Sequence, residues 1–169
     1  MRLALVLALA LASSTVLPGQ EVPLEYRVKA AFLFNFAKFV EWPRDTDGGP
    51  LQICVAGRNV FGEALADTVR GESINGRPLT IRVILEPEPG CHIIFVPRGA
   101  ATAAYLRAAR SSPVLTVGEI PDFIAQGGIV NFTLDGSSVR FEIDSEAAER
   151  AGLRISSRLL RLARAPGGA

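Results

Sequence analysis

Short apolar runs that alternate with amphipathic segments constrain this chain more than any other feature. Segment 60–69 and the alanine-rich segment 100–110 are interpreted as helices, and 120–125 is interpreted as a short helix. Such alternation predicts a mostly parallel sheet covered by helices on both faces. The expected fold class is therefore α/β, a three-layer α/β/α sandwich with a C-terminal antiparallel hairpin around Asp135-Gly136. The predicted strands are 51–56, 79–85, 91–96, 114–117, 129–134 and 138–143.

A helix is predicted before the first of these strands, from about Pro23 to Glu41. Proline suits a first helical turn, and Trp42-Pro43 ends the helix because a residue before proline disfavours α geometry. Five apolar side chains recur at helical spacing and are expected to face the core. They are Phe32, Leu33, Phe36, Phe39 and Val40.

Phe34 lies on the opposite side of this helix, among charged residues. Two interpretations stay open: a partly covered aromatic side chain, or a contact with another protein. The candidate partner or dimer contact comprises Phe34, Lys38, Glu41 and Trp42.

The N-terminus has the pattern of a secretory signal peptide. A positive start at Arg2 precedes an apolar run from Leu3 to Ala12, followed by small residues. That run is shorter than the roughly 20 residues that span a bilayer. We expect a signal peptide and leader over 1–19, a single domain over 23–164 and a flexible tail over 165–169, with no membrane anchor after cleavage.

The charge balance argues against a nucleic-acid partner. The chain has 18 Lys and Arg and 17 Asp and Glu, and cleavage of the leader removes Arg2 and no acid. The mature chain would therefore carry equal numbers of both signs, whereas nucleic-acid binding requires a basic surface.

Cys54 and Cys91 are the two cysteines. An even count in an exported chain suggests a disulfide. In the common strand order of such sheets the first and third strands are neighbours, and these strands carry the two residues. Two buried free thiols are the alternative.

No catalytic constellation emerges from the residue pattern. His92 is the single histidine and is interpreted as a strand-end residue with a satisfied hydrogen bond. The Gly57 to Gly62 turn lacks the lysine of a P-loop. The acids Glu119, Asp122, Glu142 and Asp144 are interpreted as solvated loop residues. We therefore predict no catalytic residue, metal ligand or cofactor, and no enzymatic activity.

Several blocks of sequence resemble the YfiR-like family of bacterial periplasmic regulators. The opening block, from Val28 to Pro43, reads VKAAFLFNFAKFVEWP. Further matching blocks, in order, are LTVGE at 115–119, GGIVNF at 127–132, VRFEID at 139–144 and AGLRISSRLL at 151–160. The resemblance covers about residues 24–163.

The resemblance implies a periplasmic protein that binds the periplasmic part of a membrane-bound diguanylate cyclase and holds it inactive. Release of the cyclase raises cyclic di-GMP and favours biofilm. The resemblance also implies a homodimer, and Cys54 and Cys91 match one family disulfide position. A second cysteine pair of some members is absent here.

A looser similarity leads to an alternative function. Residues 143–160 resemble the closing segment of ABC-type periplasmic substrate-binding proteins, which have two α/β lobes. This chain is long enough for one lobe, so the alternative is a single-lobe module that binds a small ligand.

Overall fold

The computed structural model describes residues 21–43 and 48–164. The predicted leader over 1–19 and tail over 165–169 lie outside the described residues. The helices are α1 (Leu24–Phe39), α2 (Ala64–Val69), α3 (Thr102–Ala109), α4 (Ser145–Arg150) and α5 (Ser157–Leu160). The strands are β1 (Val40–Glu41), β2 (Leu51–Ala56), β3 (Ser73–Ile74), β4 (Arg77–Ile84), β5 (Ile93–Val96), β6 (Leu115–Gly118), β7 (Val130–Asp135), β8 (Ser138–Ile143) and β9 (Arg154–Ile155).

The main sheet has the order β3-β4-β2-β5-β6-β7-β8. Its neighbouring strands from β4 to β7 are parallel, while β3 and β8 are antiparallel. The predicted α/β class with a C-terminal antiparallel hairpin is confirmed. β2 and β5 are neighbours, as expected for the first and third predicted strands.

Each face of the sheet carries its own hydrophobic core. On one face α1 and α2 bury Ala30, Leu33 and Phe36 of α1 and Leu65 of α2 against the sheet. The ring of Phe36 lies 5.7 Å from that of Phe132 and 5.2 Å from that of Phe141, between ring centroids. On the other face α3 buries a smaller set, which includes Cys54, Tyr105 and Phe123.

The first predicted helix was two residues too long. α1 ends at Phe39, and Val40 and Glu41 instead form β1, which pairs with β9. The N–H of Ser156 donates to the carbonyl of Phe39 at 2.9 Å. This pairing is a tertiary contact with a distant segment, so local helical spacing gives no sign of it.

The predicted short helix at 120–125 was wrong. Residues 121–127 form hydrogen-bonded turns, and Asp122 adopts a left-handed backbone with φ 60°. The ring of Phe123 is fully buried between Gly118 and Gly128, where a Cβ atom on either glycine would overlap it. The turn therefore serves to place one aromatic side chain, and a regular helix is not needed.

Candidate functional site

A buried ionic cluster lies at the carboxyl ends of β5 and β6. Lys29 projects from the core-facing side of α1, and Glu119 directly follows β6. Their side chains are 1% and 0% exposed, and Lys29 Nζ lies 2.5 Å from Glu119 Oε2. Lys29 also forms an ion pair with Glu25, one turn earlier on α1. Two fully desolvated charges thus neutralise each other under the helix.

The carboxylate of Glu119 also accepts hydrogen bonds from two other residues. The hydroxyl of Tyr26 donates to Oε1 at 3.1 Å, and the backbone N–H of Arg98 donates to the same oxygen at 3.0 Å. The guanidinium Nε of Arg98 donates to the carbonyl of Glu119 at 3.1 Å. The interpretation of Glu119 as a solvated loop acid was wrong, because α1 covers it.

This cluster occupies the edge where open α/β sheets usually bind ligands. Here the chain's own lysine and tyrosine meet the carboxylate, so the arrangement fastens α1 to the sheet. Burial raises the pKa of Tyr26 to about 12, and the negative charge of Glu119 adds to the rise. The sequence signal that could have revealed the pair is the position of Lys29, four residues before the buried Leu33 on the same helical face.

The predicted contact residues Phe34 and Lys38 lie together on α1. Phe34 is half-buried and packs against the main core, and Lys38 Nζ lies 5.2 Å from the centre of its ring. The geometry therefore matches the interpretation of Phe34 as a partly covered aromatic side chain.

The predicted contact residues Glu41 and Trp42 lie beyond the end of α1. Glu41 is exposed and lies 3.5 Å from the guanidinium of Arg154, its neighbour in the β1–β9 pair. Trp42 is half-buried, and its indole Nε1–H donates to the carbonyl of His92 at 3.2 Å. Trp42 thus anchors the chain after α1 to the amino end of β5.

A shallow apolar depression lies on the outer face of α1, and we call it the α1 patch. Leu24 at its end is 66% exposed, and Ala31 at its middle is exposed as well. Phe32 joins the patch to the core, because its ring also packs 5.2 Å from that of Phe141. The α1 patch consists of Leu24, Arg27, Val28, Ala31, Phe32 and Asn35.

The structure contains the predicted disulfide between Cys54 and Cys91. Their Cα atoms lie 5.8 Å apart, and both residues are buried. Cys54 lies within β2, and Cys91 lies two residues before β5. The bond therefore links β2 to the segment that leads into its neighbour β5.

A cleft of about 630 Å³ opens beside this disulfide, at the amino ends of β2 and β5. His92 accepts from the backbone N–H of Gln52 through Nδ1 at 3.1 Å, and its Nε2 lies 2.9 Å from Arg77 Nη2. The prediction that His92 is a hydrogen-bonded strand-end residue agrees with these contacts. The lining of the cleft includes Trp42, Arg77, Cys91, His92, Ala109 and Val114.

Residues 21–43 and 48–164 contain neither a metal-binding cluster nor a membrane-spanning helix. Nowhere in these ranges do three His, Cys, Asp or Glu side chains cluster so that they could hold a metal ion. Among the same residues, no helix has both the length and the apolar character that a membrane span requires.

Comparison with known proteins identifies the fold and the family. A solved structure of a conserved domain protein from Vibrio cholerae O1 biovar El Tor matches with a TM-score of 0.56 at 13% sequence identity. The match covers 80% of this chain but only 59% of that protein, and at this identity it shows the fold alone. A search of curated proteins found no match. The model of the YfiR/HmsC-like family matches residues 26–164, so this chain belongs to the YfiR/HmsC-like family.

Proposed function

We propose that this protein is a periplasmic regulatory binding protein that holds a membrane-bound diguanylate cyclase inactive by protein–protein contact. The observation that carries the proposal is the family match over residues 26–164. The disulfide between Cys54 and Cys91 supports the compartment, because disulfides persist in oxidising environments such as the periplasm. Export by the N-terminal leader and cleavage of that leader are part of the same proposal.

The buried cluster supports a function that is carried out by the protein surface, and not by a substrate site at the carboxyl edge of the sheet. At the carboxyl edge of the sheet, Glu119 is saturated by Lys29, Tyr26 and the backbone of Arg98. A substrate at that edge would have to displace α1 from its own ion pair. The edge that serves as a ligand site in many α/β proteins is therefore used here to hold a helix in place.

The α1 patch is our proposed contact for the cyclase. Its apolar side chains lie on a helix that the buried cluster holds rigidly, and rigid surfaces lose little conformational entropy on binding. Binding would repress by population shift, since a partner that prefers the inactive cyclase raises the fraction of that state. This proposal adds the outer face of α1, which includes Leu24 and Ala31, to the contact predicted at Phe34, Lys38, Glu41 and Trp42.

A photo-crosslinking amino acid at position 31 tests this proposal in the protein's own bacterium. We expect a covalent product with an inner-membrane protein that carries a diguanylate cyclase domain. The matched control places the same group at the exposed Ala103 of α3, on the opposite face of the sheet, and should give no such product. A cyclase product from position 103 and none from position 31 would contradict the assignment of the α1 patch.

The cleft beside the disulfide favours a second candidate function, the binding of a small ligand. Its volume of about 630 Å³ is within the range of small-molecule sites, and Trp42 offers an aromatic wall, while Arg77 in the lining already donates to the carbonyl of Gly49. A ligand that binds only the folded state raises thermal stability. A thermal-shift screen of periplasmic metabolites should then identify a stabilising compound, and the absence of any shift would count against this candidate.

A further inference from the structure

A second cavity lies on the α3 side of the main sheet, and we call it the α3–α4 pocket. Its volume of about 360 Å³ is within the range of small-molecule sites. Its walls come from α3, from the turn between β6 and β7, and from α4. It shares only Ala109 and Val114 with the lining of the cleft beside the disulfide, so the two cavities are separate candidate sites.

The buried residues that line the α3–α4 pocket are mostly apolar. Leu106 of α3 and Ile129, which precedes β7, are each 4% exposed, and Ala147 of α4 is 8% exposed. Contact with such side chains is favourable for a ligand that itself has an apolar part, because apolar surface of both is then removed from water. A fully hydrated inorganic ion would gain nothing from these residues.

One buried polar side chain, that of Thr116 on β6, lines the same pocket. Thr116 is 3% exposed and points away from the core under α1, because its neighbours Leu115 and Val117 belong to that core. Its Oγ1 accepts from the N–H of Ile129 at 3.0 Å. A hydroxyl also has a proton to donate, and no side chain or backbone group of the described residues accepts it. An oxygen atom of a bound ligand would supply that acceptor.

The lining of the α3–α4 pocket includes two arginines and no acidic residue. Arg110 directly follows α3, is exposed, and its guanidinium forms no hydrogen bond or ion pair with the described residues. Arg150 at the end of α4 lies 3.6 Å from the carboxylate of Glu146 and 3.9 Å from that of Asp144, and both distances are longer than a hydrogen bond. The N–H donors of both guanidinium groups are therefore available to an anion.

We propose that the α3–α4 pocket binds a small monocarboxylate with a short apolar body. The carboxylate would accept hydrogen bonds from Arg110 and Arg150, since a planar guanidinium matches the two oxygens of a carboxylate. The apolar body would pack against Leu106 and Ile129, and the hydroxyl of Thr116 would donate to an oxygen of the ligand. This site goes beyond the proposed function, because the cyclase contact is assigned to α1 on the opposite face of the sheet.

Two-dimensional NMR of the mature chain tests the site, with benzoate and hexanoate as probes and the neutral benzamide and hexanamide as controls. We expect the two acids to shift the backbone amide signals of Gly127 and Ile129, and the two amides to bind much more weakly. Trp42 is the single tryptophan and lines the cleft beside the disulfide, so its indole N–H signal should stay unchanged. Equal binding of acids and amides, a shift at Trp42 without one at Gly127, or no shift with any probe would overturn the proposal.

The variant Arg110→Gln tests the contact with the anion and leaves the buried core untouched. Its dissociation constant for benzoate and hexanoate should be raised about tenfold, because a hydrogen bond between two charged groups is lost. The matched control is Arg107→Gln, since Arg107 lies one turn earlier on α3, is exposed and is outside the pocket lining. An unchanged dissociation constant for Arg110→Gln, or an equal increase for Arg107→Gln, would contradict the assignment.

Discussion

Lys29 and Glu119 form the most unusual residue pair of the molecule, because both charges are removed from water. Taking an ion pair out of water costs several kcal/mol per ion, and only good geometry and further hydrogen bonds offset that cost. Tyr26 and the backbone of Arg98 supply those hydrogen bonds. The pair therefore adds little to net stability, but it fixes the position of α1 above the sheet.

Removal of one partner should be strongly destabilising. Lys29→Met leaves the Glu119 carboxylate buried without its cation, and we expect a loss of about 3–5 kcal/mol in the free energy of unfolding. Urea unfolding measures this loss. The control is Lys38→Met on the exposed side of α1, which should change the free energy by about 0.5 kcal/mol or less. A small loss for Lys29→Met would mean that the pair is not buried in solution.

The titration of Tyr26 provides a second test of the same cluster. Burial, with Glu119 adding to the effect, raises its pKa to about 12, and burial also raises the pKa of Tyr105. In the folded chain the absorbance of the phenolate should therefore increase at a pH well above 10. In the unfolded chain it should increase at about pH 10. In Tyr105→Phe the delayed titration should persist, and ionisation of that variant near pH 10 would contradict the contact with Glu119.

The sign of the pH effect follows from the raised pKa of Tyr26. The folded state binds the phenolic proton more tightly than the unfolded state, whose pKa is 10.0. The contribution of Tyr26 to stability is thus complete below about pH 10 and is lost as the pH rises toward 12. Tyr26→Phe should remove this part of the decline, as measured by urea unfolding across that range.

The turn between β6 and β7 has a packing role that its local sequence does not reveal. Gly118 ends β6 and Gly128 precedes β7, and together they leave the space that the Phe123 ring fills. The segment 120–125 was predicted to be a short helix, whereas in the structure Gly118 and Gly128 leave room for the side chain of Phe123. Only the packing of the turn against the sheet shows this, because a helix and a compact turn have the same apolar composition here.

A single methyl group should disturb this element. Gly118→Ala places a Cβ atom against the ring of Phe123, and overpacking of this kind costs about 1–3 kcal/mol in the free energy of unfolding. Combination with Phe123→Leu should recover part of the loss, because the smaller side chain vacates the space. Denaturant unfolding of both variants measures this coupling, and independent, additive effects would contradict the contact.

The disulfide makes a separate prediction about β2 and β5. It closes a loop with a sequence separation of 37 residues. Loop-closure entropy for that length gives about 4 kcal/mol, so Cys54→Ala combined with Cys91→Ala should lower the free energy of unfolding by about this amount. Thiol titration of the unfolded, unreduced chain should find no free thiol, and two thiols per chain would refute the bond.

In the molecule as a whole, the elements that could be predicted are those marked by nearby residues, such as turn residues and alternating apolar side chains. The hairpin strand 138–143 was predicted with its observed ends, because Asp135-Gly136 marks the turn and the flanking residues alternate. The β1–β9 pair and the burial of Glu119 could not be predicted, because both depend on segments that are distant in sequence. The packing of Phe34 also depends on tertiary neighbours, and the partner contact at Phe34 and Lys38 stays a prediction.

Cellular cyclic di-GMP is the measurement that tests the central claim most directly. Deletion of this protein in its own bacterium should raise cyclic di-GMP, and the exported wild-type chain should restore the lower level. Ala31→Arg, which places a charge in the α1 patch without touching the core, should fail to restore it although the protein is folded and present. An unchanged level of cyclic di-GMP after deletion would contradict the proposal that this protein represses a diguanylate cyclase.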